Sequence, residues 1–210
     1  MRQTESRTET RTQTRVDPRI SESRRLVLMA ALEELAEVGY GGFAIESVCR
    51  RSGVAKSTVY RHWPGKLTLV ADALRSLNVQ PGSAMAGGPP PGQTPRERVV
   101  EIVRHLATAF TGSTVAACTP ALVDAAEHET DIRDLFHEYN AERRQTLVDA
   151  VTDGVVAGAF PARVNPDLAA VALAGAIMYR RLMTPTPMNP SDAEALVATV
   201  LGEGPSGRRG

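Results

Sequence analysis

Lysine is nearly absent from this chain of 210 residues: 22 of its 24 basic residues are arginine, and Lys56 and Lys66 are the only lysines. Long apolar runs are absent too, because none approaches the roughly 20 residues that span a bilayer. The first residues, MRQTESRTETRTQTRVD, contain no apolar segment, so we expect neither a membrane helix nor a signal peptide. An apolar content of 42% predicts a globular protein.

Cysteine is also scarce, with Cys49 and Cys118 as the only two. A disulfide and a pair of free thiols both remain open, and we favour the thiols and a cytoplasmic protein. Sustained alternation of apolar and polar residues is missing, so no strands are expected. A Ser-His-Asp elbow, a Walker loop and a dinucleotide glycine motif are missing as well. We therefore expect no enzyme, no catalytic residues and no cofactor.

The formal net charge is zero, which by itself argues against a polyanionic partner. The zero conceals an asymmetry: residues 1–77 carry 13 Lys and Arg against 9 Asp and Glu, whereas residues 78–210 carry 11 against 15. A basic first half followed by an acidic second half is a weak indication of anion binding at one end of the molecule.

Helical periodicity predicts an all-α protein of about nine helices in two domains. We expect a disordered Arg/Thr-rich arm at 1–20, a helix-turn-helix domain at 21–77 and a Pro/Gly-rich linker at 78–95. A helical regulatory and dimerisation domain is expected at 96–202, followed by a flexible tail at 203–210. The first helix should run from Ser21 to Val38 and stop at Gly39. Four later helices have capping residues at their starts: Thr94, Thr130, Asn165 and Asn189.

Residues 45–63 have the pattern of a helix-turn-helix. Two helices of about two turns each, 45–52 and 56–62, flank the tight connection Gly53-Val54-Ala55. The apolar residues of this segment predict one small core: Ile45, Val48, Cys49, Val54, Val59 and Trp63. The second helix rises only roughly 10 Å, about the width of the major groove of B-DNA.

The outward face of this second helix carries only hydrogen-bond donors and cations: Lys56, Ser57, Thr58, Tyr60, Arg61 and His62. Such side chains donate to phosphate oxygens and to the edges of guanine, so the pattern favours DNA contact. The alternative is an ordinary solvated face that lacks acids by chance. The glycine turn and the buried Trp63 make DNA contact the preferred interpretation.

Two stretches, AALEELAEVGY at 30–40 and IESVCRRSGVAKSTVYRHWPGKLTLVADAL at 45–74, resemble the DNA-binding domain of the TetR family of transcriptional regulators. The resemblance covers about residues 24–77 and is looser over 96–202. It implies a homodimeric repressor that binds a palindromic operator in double-stranded DNA. It also implies a C-terminal domain that dimerises and binds a small inducer, whose identity is unknown.

The resemblance also assigns roles by position. Lys56, Ser57 and Thr58 fall where the family reads bases at the start of its recognition helix. Tyr60, His62 and Lys66 fall where it usually contacts phosphates. Arg61 is a less regular contact.

One departure from the family pattern lies at the start of the second helix, where Phe43-Ala44 replaces the usual Thr or Ser. Phosphate binding there would rely on backbone N–H groups and the helix dipole. The N-terminal arm is rich in arginine, and arms of this kind in other proteins enter the minor groove of DNA. The arm also contains Glu5, Glu9 and Asp17, so a tail without DNA contact is the preferred interpretation.

The second domain offers a candidate dimer surface and a candidate pocket. By analogy, the dimer is expected to form through two apolar stripes on the last two helices: Leu168, Val171, Gly175, Met178 and Leu182, then Leu196, Val197, Val200 and Leu201. An intrachain core is the alternative, and both can hold on different faces. Four residues are candidates for the pocket lining, although such residues more often form core: Phe110, Phe136, Tyr139 and Met178. We expect an apolar or weakly polar ligand and assign no ligand-binding residues.

Two rival functions remain. The stretch HETDIRDLFHE could belong to a metal-dependent enzyme using His128 and His137, but zinc helices place their histidines four apart. A solvated helix start is preferred, and no metal site is expected. The second rival keeps the DNA-binding fold but makes the protein an activator or a ligand-independent regulator.

Overall fold

The computed structural model describes residues 18–77 and 90–202. Within these ranges the chain forms nine α-helices and no strand, which confirms the all-α prediction. The helices are α1 (Pro18–Gly42), α2 (Ile45–Ser52), α3 (Lys56–His62), α4 (Lys66–Ser76), α5 (Pro95–Ala109), α6 (Thr114–His128), α7 (Thr130–Val156), α8 (Pro166–Met183) and α9 (Ala193–Leu201). Residues 1–17 of the predicted arm, residues 78–89 of the predicted linker and the predicted tail at 203–210 lie outside the described residues.

Helix α1 begins three residues before the predicted start at Ser21. Residues 18–20 are therefore helical, and the expectation that the arm extends to residue 20 is wrong for these three. The reason is Pro18, whose fixed φ suits the first position of a helix and whose missing N–H costs nothing there. Gly39 interrupts the helix with φ 69°, as predicted, and residues 40–42 add one further turn beyond the kink.

Helices α1 to α4 enclose the small core that the sequence predicts. Four of its six residues are buried: Ile45, Val48, Val59 and Trp63. Cys49 and Val54 are half-buried and pack against them. The turn between α2 and α3 depends on Gly53, which adopts φ 69° and donates its N–H to the carbonyl of Cys49. A left-handed residue at this point turns the chain sharply enough for α3 to cross over α2.

The caps of the second half are largely as predicted. Thr94 and Glu97 form a reciprocal capping box at the start of α5, with N···O distances of 3.2 and 2.8 Å. Asn165 accepts from the Leu168 N–H at the start of α8. Asn189 caps a short 3-10 helix, Pro190–Asp192, that leads into α9. The capping role predicted for Thr130 is wrong, because the chain leaves α6 so abruptly that Glu129 becomes the N-cap and Thr130 is already helical.

Two apolar cores hold the molecule together, and the first one joins helices α1 to α4 to the second half. It combines residues of α1 to α4 with Cys118 and Leu122 of α6 and with Ile132 and Tyr139 of α7. The second core is formed by α5, α7, α8 and α9. Cys49 and Cys118 are both free thiols, in agreement with the favoured interpretation. Among the described residues, no helix combines the length and apolar character needed to cross a membrane.

Candidate nucleic-acid interface and ligand cavity

Helix α3 is fixed to the domain by its buried side and by one carboxylate on α4. Val59 is fully buried and Trp63 is 4% exposed. The indole N–H of Trp63 donates to Oδ2 of Asp72 over 2.8 Å. The same carboxylate accepts two hydrogen bonds from Arg24 of α1, at 2.6 and 2.8 Å. Asp72 therefore ties α1, the end of α3 and α4 together, and holds the opposite face of α3 towards solvent.

Most of the residues predicted to contact DNA do lie on that solvent face. Five of the six predicted on α3 are exposed: Lys56, Ser57, Tyr60, Arg61 and His62. Thr58 is half-buried. Lys66 is also half-buried and stands apart from the others at the first position of α4.

A carboxylate that sequence reasoning missed sits against this face. Glu46, in the first turn of α2, lies 2.7 Å from Nζ of Lys56 and accepts from the hydroxyl of Tyr60 at 3.1 Å. The hydrogen bond from Lys56 is the main cause that lowers the pKa of Glu46 to about 2. Helix α3 itself has no acid, as expected, but α2 supplies one. The sequence signal for this contact is the position of Glu46 at the start of α2. That helix start lies beside the first turn of α3 once the turn at residues 53–55 closes.

Lys66 is held by an aromatic ring of α1. Its Nζ lies 3.8 Å from the ring centroid of Tyr40, a cation–π contact. Burial lowers the pKa of Lys66, and the charge of Glu129 partly opposes that shift. The ammonium group thus packs where α4 begins, close to both the end of α1 and the start of α7.

The start of α2 lacks a side-chain cap, as the Phe43-Ala44 departure predicts. Ala44 occupies the N-cap position in an extended conformation, and Phe43 is buried in the core. The first-turn residue Glu46 brings its negative charge to this helix start, where a phosphate would bind the backbone N–H groups. Any phosphate at the start of α2 therefore meets a carboxylate as well as the backbone N–H groups.

A cavity of about 550 Å³ lies below α4, bounded by α5, α6, α7 and α8. All four candidates for a pocket lining are on its wall: Phe110, Phe136, Tyr139 and Met178. Leu74 of α4 and Leu77, the C-cap of that helix, also line it. The cavity therefore touches the helix that connects the two halves of the molecule. Its polar wall residues include His137, Asn140, Arg143 and Arg144 of α7.

The predicted dimer stripes divide between surface and core. Leu168, Val171 and Gly175 of α8 are exposed, while Met178 and Leu182 are half-buried. On α9, Val197 and Leu201 are buried in the second core, and Leu196 and Val200 pack against it. Two large residues absent from the predicted stripe, Tyr179 and Met183, extend the exposed apolar face of α8 to its C-terminal end.

The residues of the rival metal hypothesis do not assemble. Within residues 18–77 and 90–202, no group of three or more His, Cys, Asp and Glu side chains is arranged to hold a metal ion. Nδ1 of His128 lies 2.8 Å from the carbonyl oxygen of Asp124 at the end of α6. His137 instead lies on the cavity wall.

Comparisons with known proteins agree with this architecture. Residues 27–73 match the family model of bacterial regulatory proteins of the tetR family, and residues 89–200 match the tetracyclin repressor-like C-terminal domain. The chain is 22% identical to the uncharacterized HTH-type transcriptional regulator YdeS of Bacillus subtilis, over 86% of this chain and 88% of that protein. It is 33% identical to the HTH-type transcriptional repressor KstR of Rhodococcus jostii, over 42% of this chain and 41% of that protein.

A solved structure shows the same fold. The transcriptional regulator FadR from Bacillus subtilis, in complex with stearoyl-CoA, superposes with a TM-score of 0.67 at 16% identity, covering 85% of this chain and 98% of FadR. The proteins and domains matched are transcriptional regulators and not enzymes. With family models matching the DNA-binding helices and more than half of the chain beyond them, this protein belongs to the TetR family of transcriptional regulators.

Proposed function

We propose that the protein is a ligand-responsive repressor that binds a palindromic operator as a homodimer and is released by a small-molecule inducer. The observation that carries the proposal is the exposed face of α3. Its cations and hydrogen-bond donors face solvent while Val59 and Trp63 anchor the helix from behind. Action on chromosomal DNA implies a cytoplasmic protein.

The proposed DNA contacts divide by position on the helix. Lys56, Ser57 and Thr58 at the N-terminal end of α3 approach base edges. Phosphate contacts fall to three residues nearer its C-terminal end or beyond it: Tyr60, His62 and Lys66. Arg61 is a less regular contact. Lys56 must leave Glu46 to reach DNA, because the two side chains form an ion pair in the free protein. The half-buried Thr58 would contact bases only through its exposed edge.

The exposed apolar face of α8 supports the homodimer. Three large apolar residues lie on one side of this helix, and each is more than 60% exposed: Leu168, Tyr179 and Met183. A second copy of the chain would cover this face through a two-fold axis, so that each α8 packs on its mate. Two recognition helices about 34–36 Å apart would then meet successive major grooves of one operator.

The cavity supports release by a ligand. Leu74 and Leu77 link the cavity wall directly to α4, and Leu74 is also part of the core that carries α3. A ligand that prefers a different position of α4 shifts the dimer away from the DNA-binding spacing, and lowers operator affinity by the same coupling. FadR, which has the same fold, was solved with stearoyl-CoA.

The test uses the purified full chain and duplexes from the intergenic region upstream of its own gene. We expect a footprint on a palindrome and binding that weakens steeply with salt, because phosphate contacts release counterions. A protein indifferent to every duplex at low ionic strength would overturn the proposal. A reporter in a deletion strain then separates the alternatives. Raised expression indicates a repressor, lowered expression an activator, and expression that no ligand alters a ligand-independent regulator.

A further inference from the structure

The cavity wall has an apolar part and a polar part, and different helices contribute them. Helices α4, α5 and α8 contribute only apolar side chains and one glycine to it, among them Leu74, Leu106 and Phe110. Most of the polar wall residues come from α7, where His137, Asn140 and Arg144 are spaced by three and four residues along one side. At 1.5 Å per residue this polar strip extends roughly 10 Å along the helix. A ligand that fits the cavity therefore meets apolar walls on most sides and one polar wall.

The polar wall is positively charged. Arg143 and Arg144 both line the cavity, and no described lining residue is an aspartate or a glutamate. Nη1 of Arg143 donates to the hydroxyl of the buried Tyr139 at 3.1 Å, and its guanidinium lies 5.3 Å from the Tyr139 ring centroid. These contacts hold the guanidinium at the wall. Burial raises the pKa of Tyr139, so its phenol stays protonated and adds no negative charge.

Arg144 is less enclosed than Arg143. Its nearest acidic partner is Asp167 in the first turn of α8, with a long N···O distance of 3.6 Å between two half-exposed side chains. An ion pair of this kind contributes little to stability, so another anion can readily replace Asp167 at Arg144. A carboxylate entering the cavity would form shorter, charge-assisted hydrogen bonds with a guanidinium that is already in place.

The geometry points to an amphiphilic organic anion as the ligand of this cavity: an apolar body against α4, α5 and α8, and one anionic group on Arg143 and Arg144. This inference rests on the proposed ligand-responsive function and names the chemical class of the inducer. The cavity volume, about 550 Å³, is in the range of sites for drug-sized molecules, roughly 300–1,000 Å³. A cationic ligand of the same shape is disfavoured, because its charge would be desolvated beside two guanidinium groups.

The test compares three probes that share one chain and differ in charge: decanoate, 1-decanol and decylamine. Their binding to the full-length protein is measured by isothermal titration calorimetry at pH 7.5 without DNA. We expect decanoate to bind at least about tenfold more tightly than decanol, as a charge-assisted hydrogen bond implies, and decylamine to bind most weakly. Equal binding of the three probes, tighter binding of decylamine, or no binding of decanoate overturns the inference.

Variants locate the anion. Arg143→Gln and Arg144→Gln should each raise the dissociation constant of decanoate by about tenfold and leave that of decanol within about twofold. Arg163→Gln is the control, because Arg163 is exposed and lies outside the cavity wall. An unchanged decanoate affinity in both cavity variants overturns the assignment. If Arg143→Gln does not fold, the Arg144→Gln variant and the probe comparison on the unaltered chain still test the inference.

Two further measurements separate this inference from the proposed function. Competition between decanoate and decyl phosphate distinguishes a carboxylic acid from a phosphate ester as the anion, and either result agrees with the inference. Release of operator DNA is then followed by fluorescence anisotropy with the tighter probe. Charge-selective binding without release would contradict the inducer role and leave the ligand class intact. Release by uncharged decanol alone would support the inducible function and overturn the ligand class.

Discussion

Glu46 places a negative charge on the surface that we propose contacts DNA. Its carboxylate holds both Lys56 and Tyr60 in the free protein, and its pKa of about 2 keeps it ionised at every pH at which DNA binding is measured. On an operator the same charge would face phosphates while Lys56 turns away to bind DNA. The residue therefore opposes binding twice, by holding a cation and by repelling the backbone.

We expect Glu46→Gln to tighten binding to operator and unrelated duplexes alike, by about two- to fivefold, as for the loss of an exposed ion pair. The amide keeps an acceptor for Tyr60 and removes only the charge. The gain should be full at pH 7–8 and should shrink as the pH falls towards 5, because Lys56, the main cause of the low pKa of Glu46, has left it in the complex. Anisotropy titrations measure it. Glu101→Gln, which removes an exposed partner of Arg104 on α5, is the matched control.

An unchanged or weaker affinity for Glu46→Gln would show that Lys56 does not move to DNA. A gain in Glu101→Gln of the same size would have the same meaning, because it would trace the effect to net charge alone.

Lys66 is expected to contact phosphate without reading sequence. Lys66→Ala should weaken binding to all duplexes and reduce the slope of log affinity against log salt by about one unit. Lys56→Ala is the contrast: it should relax the consensus selected from a randomised operator library, because Lys56 lies where base contacts are proposed. An unchanged salt slope for Lys66→Ala would leave Lys66 with only its contact to Tyr40.

At the scale of helices, α4 carries both the anchor of α3 and part of the cavity wall. Asp72 on this helix accepts from Trp63 and from Arg24, and Leu74 and Leu77 line the cavity. A displacement of α4 by a ligand therefore moves the attachment of the recognition helix directly. No separate relay is needed between the cavity and α3.

Asp72→Ala should lower the free energy of unfolding by about 1–3 kcal/mol, because it leaves the indole N–H of the buried Trp63 without an acceptor. Asp72→Asn should cost less, since the amide oxygen can still accept from the indole. Urea denaturation at pH 7 measures both. Asp149→Ala, which removes an exposed carboxylate bonded to Gln145, should stay within about 0.5 kcal/mol of the unaltered chain. Equal losses for Asp72→Ala and Asp72→Asn would assign the stabilisation to Arg24.

Local signals explain which elements could be predicted from sequence. The bounds of α2 and α3 follow from a glycine turn and apolar residues one turn apart, and the capping box at Thr94 needs only four residues. The N-cap of α7 could not be read locally, because it depends on where α6 ends at His128. Helix α6 continues through Pro120, and the local sequence does not predict this continuation.

The candidate site divides in the same way. The exposed face of α3 could be predicted from the sequence because all its residues lie on one short helix. The contact of Glu46 with Lys56 and the assembly of the cavity from five helices depend on tertiary packing, which periodicity does not encode. Four of the cavity residues could nevertheless be predicted, because the family resemblance implies a pocket among the central helices and these four lie on apolar stripes of those helices.

At the scale of the whole molecule, the two sequence domains share one core. Helix α1 packs along α6, and the first core includes Cys118, Leu122 and Tyr139 from the second half. The thiol of Cys118 lies 3.2 Å from the carbonyl oxygen of Leu32 in α1. Because this contact surface is apolar and buried, α1 and α6 are expected to move together. Changes of spacing between the proposed recognition helices then require movement of whole protomers or a shift of α4 within this core.

The proposed dimer gives such a spacing its meaning, and its proposed interface lies on α8. We expect Leu168→Glu combined with Tyr179→Glu to give a folded monomer, because each places a charge on a face that is apolar and exposed in the single chain but would be buried between two copies. Light scattering after gel filtration measures the mass. Met29→Glu combined with Val38→Glu is the matched control, since it puts the same two charges on exposed apolar positions of α1.

A monomer can occupy only one half-site, so operator affinity of the double variant should fall by at least about tenfold while circular dichroism stays helical. The affinity loss should disappear on a duplex that carries a single half-site, because there the unaltered dimer gains nothing from its second recognition helix. A variant that remains dimeric would show that another surface forms the interface. A monomer that retains full affinity for the palindrome would separate DNA recognition from dimerisation and remove the two-fold spacing from the mechanism.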